Sequence, residues 1–431
     1  MRLLIIGGGP GGYETAVEAA KRGMEVTLIS EGPLGGTCLN EGCIPTKTFC
    51  HYAELIEQNI KAGLDCKPAF AAATERKQAV VEQLRGGIDM LLKGVQVVQG
   101  RAQFKDAKTV VCNGLEYCAD KIIIATGSVS ASLPVPGGDS CITSKEILEL
   151  TEVPESLCVI GGGVIGLEFA SIFRSFGSEV TVLEFCPGIL PRFDSDLAKR
   201  LKQTLSKRGI NIEVQAQVTC IDGDTVTYIR KDKEYTIQAS MILMAVGRRP
   251  NTDGLNLEAA GIDYTRKGIT VNDRFETSVP GIYAVGDVTG GIMLAHAATY
   301  QGLHALNAIC GLTDSINFDL VPAAVFTMPE VAMVGLTEEQ CEEQEIEVRC
   351  LKSFYRANGK AVSMDETDGY CKIIVGTDGK ILGANIMGAH ASDLIHEITT
   401  AINLGATLEQ LQCVIHAHPT LSEVLQSAIH Q

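Results

Sequence analysis

Several times along the chain a short, wholly apolar run stops at a cluster of glycines. Leu3-Leu4-Ile5-Ile6 meets Gly7-Gly8-Gly9-Pro10-Gly11-Gly12, and Leu157-Cys158-Val159-Ile160 meets Gly161-Gly162-Gly163. Ile122-Ile123-Ile124 runs into Ala125-Thr126-Gly127-Ser128, Ile242 to Val246 into Gly247, and Ile282 to Val285 into Gly286-Asp287. Runs this short and apolar on both faces read as strands of a buried parallel sheet. Behind the first, Tyr13 to Gly23 has helical spacing, and Glu25 to Ile29 returns as a strand ending at Glu31. Behind the second, a helix runs to about Phe176, and Val180 to Glu184 is the next strand. Each set is a βαβ unit with G-x-G-x-x-G on its first turn.

The first unit places Gly7, Gly9 and Gly12 there, and the second Gly161, Gly163 and Gly166. Such glycines allow a tight turn and let backbone approach a pyrophosphate lying on a helix N-terminus. Alone the motif is weak. With both strands, the helix and an acid about twenty residues on, it is a strong dinucleotide signal. Glu31 and Glu184 are those acids. Glu184 favours NAD over NADP, because a carboxylate accepts from a ribose hydroxyl and repels a 2′-phosphate. Phe185, Cys186 and Pro187 follow it, with no arginine before Arg192. The alternative is a carboxylate that merely ends the strand in solvent.

Between the two units, Ala53 to Leu92 reads as mainly helical, with breaks near Gly63 and Pro68. Val95 to Val111 alternates as short strands do, and Ser130 to Ser140 reads as a linker. From about Phe318 the texture changes. Val321–Phe326, Glu345–Tyr355, Gly369–Gly376 and Ile381–Met387 alternate like antiparallel strands, with helices near Thr337–Gln344, His390–Leu404 and Leu408–Cys413. The expected fold class is α/β, with two Rossmann-like dinucleotide-binding domains and a C-terminal α+β domain. The expected boundaries are residues 1–148, 149–255, 256–317 returning to the first domain, and 318–431.

Composition narrows the partners. The 431 residues carry 36 basic and 52 acidic side chains, a net charge of −16. That argues against nucleic acid or an anionic membrane as partner. No apolar run reaches about 18 residues, and no signal peptide is visible. Fifteen cysteines without a secreted context suggest a reducing cytoplasm and free thiols. Without a C-x-x-C, no metal site is expected.

The chemistry concentrates in Gly35-Gly36-Thr37-Cys38-Leu39-Asn40-Glu41-Gly42-Cys43-Ile44-Pro45-Thr46-Lys47. Pro45 suits a first helical turn, which sets Cys43 near a helix N-terminus where a thiolate is favoured. Cys38 and Cys43 can then cycle between dithiol and disulfide. Two structural thiols could share this spacing; the flanking glycines, Pro45 and Lys47 favour the redox pair. Near the end stand His418-Pro419 and, five residues after the histidine, Glu423. A histidine is a suitable base for a thiol, and a carboxylate on its far nitrogen fixes the tautomer. An ordinary pair at a helix start is the alternative.

GGTCLNEGCIPTK resembles the redox-active segment of the FAD-dependent pyridine nucleotide–disulfide oxidoreductases, and the resemblance runs from Leu3 to about Ser427. VFTMPE, RANGKA and ILGANIMGAHASDLI have close counterparts in that family's dimerisation domain. Within the family the chain is most similar to the members that oxidise dihydrolipoamide with NAD.

The resemblance implies FAD at the first turn, with Glu31, Gly36, Thr37, Lys47, Thr126, Gly127 and Ser128 around it. Asp287 would hold the ribityl chain, and Met293-Leu294-Ala295-His296 would start a helix aimed at the flavin ring. NAD would lie at the second turn, with Glu184 and Gly247. Lys47 and its partner Glu168 would tune the flavin. Cys38 would exchange with substrate, Cys43 would face the flavin, and His418, oriented by Glu423, would be the base. A homodimer is implied, with lipoyl-bearing proteins of 2-oxo acid dehydrogenase or glycine cleavage complexes as partners. No N-terminal lipoyl domain is expected, so that group is expected on a separate protein. Other NAD(P)H-dependent flavin disulfide reductases are the alternative. The chain departs from the pattern in being somewhat short, in its many cysteines, and in Gln301 before Gly302, where many members have an acid.

Overall fold

The computed structural model describes residues 1–64 and 69–431. Three principal sheets organise it. The first is five-stranded and parallel throughout, in the order Ile282–Ala284, Lys121–Ile124, Arg2–Ile6, Glu25–Ser30, Gln96–Gln99. Its apolar runs are explained by burial on both faces. Leu3 and Ile5 pack with Ala16 and Ala19 of helix Pro10–Lys21. Leu4 and Ile6 face the other way, against Phe104 and Val110 of a small antiparallel sheet. Ile6 is in register with Ile29 and with Ile124. The turns that follow these strands therefore leave the sheet along one edge, where open α/β sheets bind ligands. Strand Ile282–Ala284 arrives from far along the chain to complete that edge.

The second parallel sheet runs Ile210–Val214, Glu179–Glu184, Ser156–Ile160, Met241–Met244. A three-stranded antiparallel sheet, Gln217–Asp222, Thr225–Arg230 and Lys233–Gln238, is attached to it. The stretch expected as a linker opens in a strand: Ser128–Ser130 pairs with Arg248–Pro250 and ties the two dinucleotide units together. Only pairing with a distant segment makes Ser128-Val129-Ser130 a strand.

The third sheet is antiparallel, ordered Ala323–Val325, Val331–Gly335, Ile381–Met387, Tyr370–Gly376, Val348–Phe354. Strand Val331–Gly335 was not expected, because Pro329 and Glu330 interrupt the apolar run before it. One face of this sheet packs helices Ala391–Asn403 and Glu423–Ile429 through Ile373, Ile386, Ile395 and Leu425. From the other face Val325, Val331, Tyr370 and Met387 join Leu197, Leu201, Phe169 and Phe173 of the second unit in one core.

Helix Pro10–Lys21 begins earlier than its apolar spacing suggests, since Pro10 takes a first helical position and needs no N–H partner there. Helices Cys43–Lys61 and Phe70–Leu91 form the expected helical region, the first ending just before Gly63. The break expected at Pro68 lies outside the described residues. Among the described residues no helix is long and apolar enough to cross a membrane.

Helix Ala295–Ile309 crosses helix Pro10–Lys21 at Gly302. A Cβ there would lie 2.0 Å from Thr15 Oγ1 and 2.8 Å from the Gly11 carbonyl oxygen. Thr15 cannot easily turn away, because its hydroxyl donates to that same carbonyl at 2.7 Å. Gly302→Ala is therefore expected to lower unfolding free energy by about 1–3 kcal/mol, the usual cost of overpacking. Urea denaturation checks this, and an unchanged midpoint would contradict the close crossing.

Candidate active site

The carboxyl edges of the two parallel sheets and the near margin of the third enclose a cavity of about 2670 Å³. Gly7, Gly9, Glu31, Gly36, Thr37, Cys38, Cys43 and Lys47 line it from the first unit, with Thr126, Gly127, Ser128, Asp287 and Met293 to His296. Gly161, Gly163, Glu168, Glu184 and Gly247 line it from the second. Gly12 and Gly166 stand behind the wall. A Cβ on Gly12 would fall 1.8 Å from Gly7 O, and one on Gly166 2.0 Å from Gly161 O. Gly7 and Gly161 in turn have φ of +117° and +114° and abut Ala125 O and Ala245 O.

The middle glycines differ. Nothing lies within 4 Å of a Cβ on Gly163, and only Gly36 Cα, at 3.9 Å, of one on Gly9. So the outer glycines of each motif are demanded by the protein itself, and the middle ones open onto the cavity. The helices starting at Gly9, Gly42, Gly163 and Leu294 have no side-chain cap, so no side chain of the protein competes with a ligand for their N-termini at this edge. Elsewhere Asp194, Thr337, Asn358 and Thr407 cap their helices. A cradle of this form suits the pyrophosphates of two dinucleotides.

The two acids sit differently. Glu31 is exposed, with Arg101 3.9 Å away. Glu184 is only 7% exposed, so it does not simply end its strand in solvent. Its Oε2 accepts from Gly162 N and its Oε1 from Cys186 N, both at 2.6 Å. Each oxygen retains acceptor capacity toward the cavity it lines.

Around the Thr126-Gly127-Ser128 turn, Thr126 Oγ1 donates to Asn251 O at 2.7 Å and Ser128 Oγ to Asp287 Oδ2 at 2.5 Å. The Arg248 guanidinium donates to Ser128 Oγ at 2.7 Å and to Ser128 O at 2.8 Å. Sequence reasoning missed Arg248, although its place just after the Gly247 turn was a usable signal. Burial pulls its pKa down, against Asp287, Glu41 and Cys43 nearby. Gln301 Oε1 accepts from Gly286 N at 2.7 Å, so an amide supplies the acceptor without a charge. His296 Nε2 lies 2.9 Å from Pro322 O. Burial holds its pKa below the usual range.

Cys38 lies on a short helix, Gly36–Glu41, to which the sequence analysis assigned no element. Gly42 alone separates it from helix Cys43–Lys61. Both thiols are free, and Cys38 donates a hydrogen bond to Cys43. That bond lowers the Cys43 pKa to about 7; burial opposes it and Lys47 assists. The Cys38 thiol is raised well above its usual range by the same bond and by burial. Lys47 Nζ donates to both oxygens of Glu168 at 2.8 Å and sits 4.5 Å from the centre of the Phe326 ring. Glu168, 3% exposed, also accepts from Phe326 N at 3.0 Å. Burial pulls the Lys47 pKa down, but Glu168, with Cys50 and Cys43, more than offsets it and the pKa is raised. Tyr13, also missed, has its phenol 3.0 Å from Glu14 and close enough to Cys38 to feel its charge.

His418 and Glu423 are paired but stand apart from this cluster. His418 Nδ1 is 2.9 Å from Glu423 Oε1, and Glu423 Oε2 accepts from Thr420 N at 2.9 Å. Those bonds hold the Glu423 carboxyl below its ordinary range. The His418 side chain is 78% exposed, and neither residue lines the cavity. His416, left without a role by the sequence, is buried and meets Glu397 Oε1 at 2.8 Å, fixing the segment to helix Ala391–Asn403. Ile415 beside it is 94% exposed.

Two outcomes test this site. Gly163→Ala should leave thermal stability unchanged and weaken nicotinamide-dinucleotide binding, because its methyl enters open cavity. Gly161→Ala should instead destabilise the protein, meeting Ala245 O at 2.3 Å with a positive φ. Thermal melts with and without dinucleotide separate the two, and equal behaviour would contradict the division of labour. For the thiols, Cys43 should be thiolate above and thiol below about pH 7 in the dithiol protein. Long-wavelength thiolate–flavin absorbance of the loaded protein should fade as pH falls through that value. Cys38→Ala should move the midpoint upward relative to Cys38→Ser, whose hydroxyl still donates.

A family profile described as pyridine nucleotide-disulphide oxidoreductase matches residues 1–302, and that of the family's dimerisation domain matches residues 321–429. A dihydrolipoyl dehydrogenase of Geobacillus stearothermophilus is 42% identical, with 99% of this chain and 94% of that protein covered. The mitochondrial dihydrolipoyl dehydrogenase of Pisum sativum is 39% identical, over 99% of this chain and 90% of that one. Among solved structures, the HOCl-induced flavoprotein disulfide reductase RclA from Escherichia coli matches with a TM-score of 0.91 and 32% identity, over 100% of this chain and 99% of that one. LpdA from Mycobacterium tuberculosis matches with a TM-score of 0.91 and 30% identity, over 100% and 99%. Over nearly its whole length, then, this chain belongs to the pyridine nucleotide-disulphide oxidoreductase family.

Proposed function

We propose that the protein oxidises the dihydrolipoyl groups of partner proteins to the cyclic disulfide and passes the two electrons through FAD to NAD. One observation carries the reading: a hydrogen-bonded thiol pair, Cys38 and Cys43, opens on a cavity that both dinucleotide turns line. The dihydrolipoyl dehydrogenase relatives, at 39–42% identity, are more similar than the disulfide reductase RclA at 32%.

FAD would rest on the Gly7–Gly12 turn, with Glu31 at its ribose, Asp287 and Ser128 along its chain, and Lys47 and the start of helix Ala295–Ile309 at its ring. NAD would rest on the Gly161–Gly166 turn, with its ribose on Glu184. When bound, FAD supplies two-electron exchange between a thiolate and the nicotinamide. The chain's own residues do the rest. A substrate thiolate attacks Cys38 Sγ of the Cys38–Cys43 disulfide; the S–S bond breaks and Cys43 leaves as the thiolate. The second substrate thiolate then attacks the substrate sulfur held by Cys38, closing the substrate disulfide and releasing Cys38. Two protons leave the substrate, and His418 accepts them in turn, its ring held by Glu423. Cys43 is helped to leave by the Lys47 ammonium, which favours its thiolate.

His418 does not line the cavity onto which the thiols of its own chain open, and its ring is exposed, as is Ile415 on the same segment. A two-fold homodimer through residues 321–429 would carry it to the partner's thiols, making two identical shared sites. Cys43→Ser and His418→Gln homodimers should each be inactive with dihydrolipoamide and NAD. Refolding them together should restore activity in the heterodimer fraction, which holds one intact site. An inactive heterodimer, with wild type refolding normally, would place the base elsewhere. Wild type turning over equally with NADP would sink the role given to Glu184.

A further inference from the structure

The loop from Phe185 to Phe193 walls the second half of the cavity, with Phe185, Cys186, Leu190, Arg192 and Phe193 facing in. One end is tied to the second dinucleotide turn. Glu184 holds Gly162 N, and Leu190 N donates to Gly162 O at 2.9 Å. Leu190 has φ +48°, a left-handed conformation that a branched residue adopts only when its surroundings impose it.

The other end is held by the dimerisation domain, at three consecutive residues. Asp194 Oδ2 meets Lys372 Nζ at 2.5 Å, Ser195 N donates to Glu339 Oε1 at 3.1 Å, and Asp196 Oδ2 meets Lys352 Nζ at 3.3 Å. The first of these is wholly interior: Lys372 is 1% exposed and Asp194 0%. Glu338 adds a second carboxylate to Lys372 at 2.9 Å. Asp194 uses its other oxygen to cap helix Ser195–Lys207, accepting from Leu197 N at 3.1 Å. A buried ion pair gives little stability over apolar residues of the same volume, but it admits far fewer alternative geometries. Here it would fix where the loop ends and the helix begins.

We propose that the Lys372–Asp194 pair is a positioning device for the nicotinamide dinucleotide: it carries the geometry of the dimerisation domain into the loop that walls that ligand's half of the cavity. The inference rests on the NAD reading above. It implies reciprocity: NAD(H) should stabilise the contact between the second unit and the third sheet as much as that contact favours NAD(H).

The test is Asp194→Asn with Lys372→Met in the flavin-loaded enzyme. Both charges go together, so none is left buried alone, and asparagine still caps the helix. NADH binding, followed by its fluorescence, should weaken about fivefold or more, the lower end of ordinary coupling between sites. KM for NAD should rise with it. Flavin content, thiolate–flavin absorbance and kcat at saturating NAD should stay within about twofold of wild type, as for sites that do not interact. Unchanged or tighter NADH binding overturns the proposal, and so does a parallel loss of flavin and kcat, which marks general damage. Should the double variant fail to fold, Lys352→Met with Glu339→Ala loosens the same anchorage of the loop through its two outer contacts and decides in the same way. A wild type that binds no NADH overturns the cofactor reading itself, whereas normal wild-type binding beside an unaltered variant overturns only the link.

Discussion

At the carboxyl edge of the first parallel sheet, stretches of backbone meet with no room for a side chain between them. Gly12 lies against Gly7 O, Gly7 against Ala125 O, and a Cβ on Gly36 would fall 2.6 Å from Gly9 Cα. The last contact matters most for chemistry. It seats the start of the short Cys38 helix directly on the first dinucleotide turn, and Gly42 then hands the chain to the Cys43 helix. A methyl at Gly7, Gly12 or Gly36 would push the thiols away from the turn. The electron route inferred for this protein depends on that close packing more than on any single polar contact.

Electrostatics then divides the two thiols. They share one hydrogen bond, but its direction lowers Cys43 and raises Cys38. Lys47 sits on the Cys43 side, half-buried, and the Glu168 carboxylate that it meets through both oxygens helps to keep its pKa raised. Removing one member of such a pair costs about 3–5 kcal/mol, so Lys47 and Glu168 are best regarded as a unit. Glu168 belongs to the helix of the second dinucleotide turn and also binds Phe326 N beside the third sheet. One carboxylate thus joins the redox helix, the second unit and the C-terminal domain. Lys372 likewise joins the C-terminal domain to the second unit, through Asp194.

The reading proposed above makes the site one that two chains share. His418 and Glu423 are oriented to each other, yet they face outward. A base prepared with its carboxylate but without a nearby thiol is intelligible if the thiol belongs to a second copy. The exposed apolar side chain of Ile415 on the same segment is what a buried interface would cover.

Apolar periodicity and glycine placement by themselves determined much of this protein. Two βαβ units, their turns, the acid at the end of each second strand and the C-terminal change to α+β follow from local rules. Unbroken apolar runs mean burial on both faces, and glycine is needed where backbone must touch backbone. The cysteine pair was legible because the glycines, Pro45 and Lys47 beside it mark a local setting that favours a thiolate. What depended on distant segments was not. The Ser128–Ser130 strand exists only because Arg248–Pro250 pairs with it, and Val331–Gly335 only because Ile381–Met387 does. Arg248, Gln301 and Lys372 gain their roles from partners 120, 15 and 178 residues away in the chain. Charge and hydrogen bonding over such separations carry no periodic signature; only the folded structure decides which side chains share one low-dielectric space.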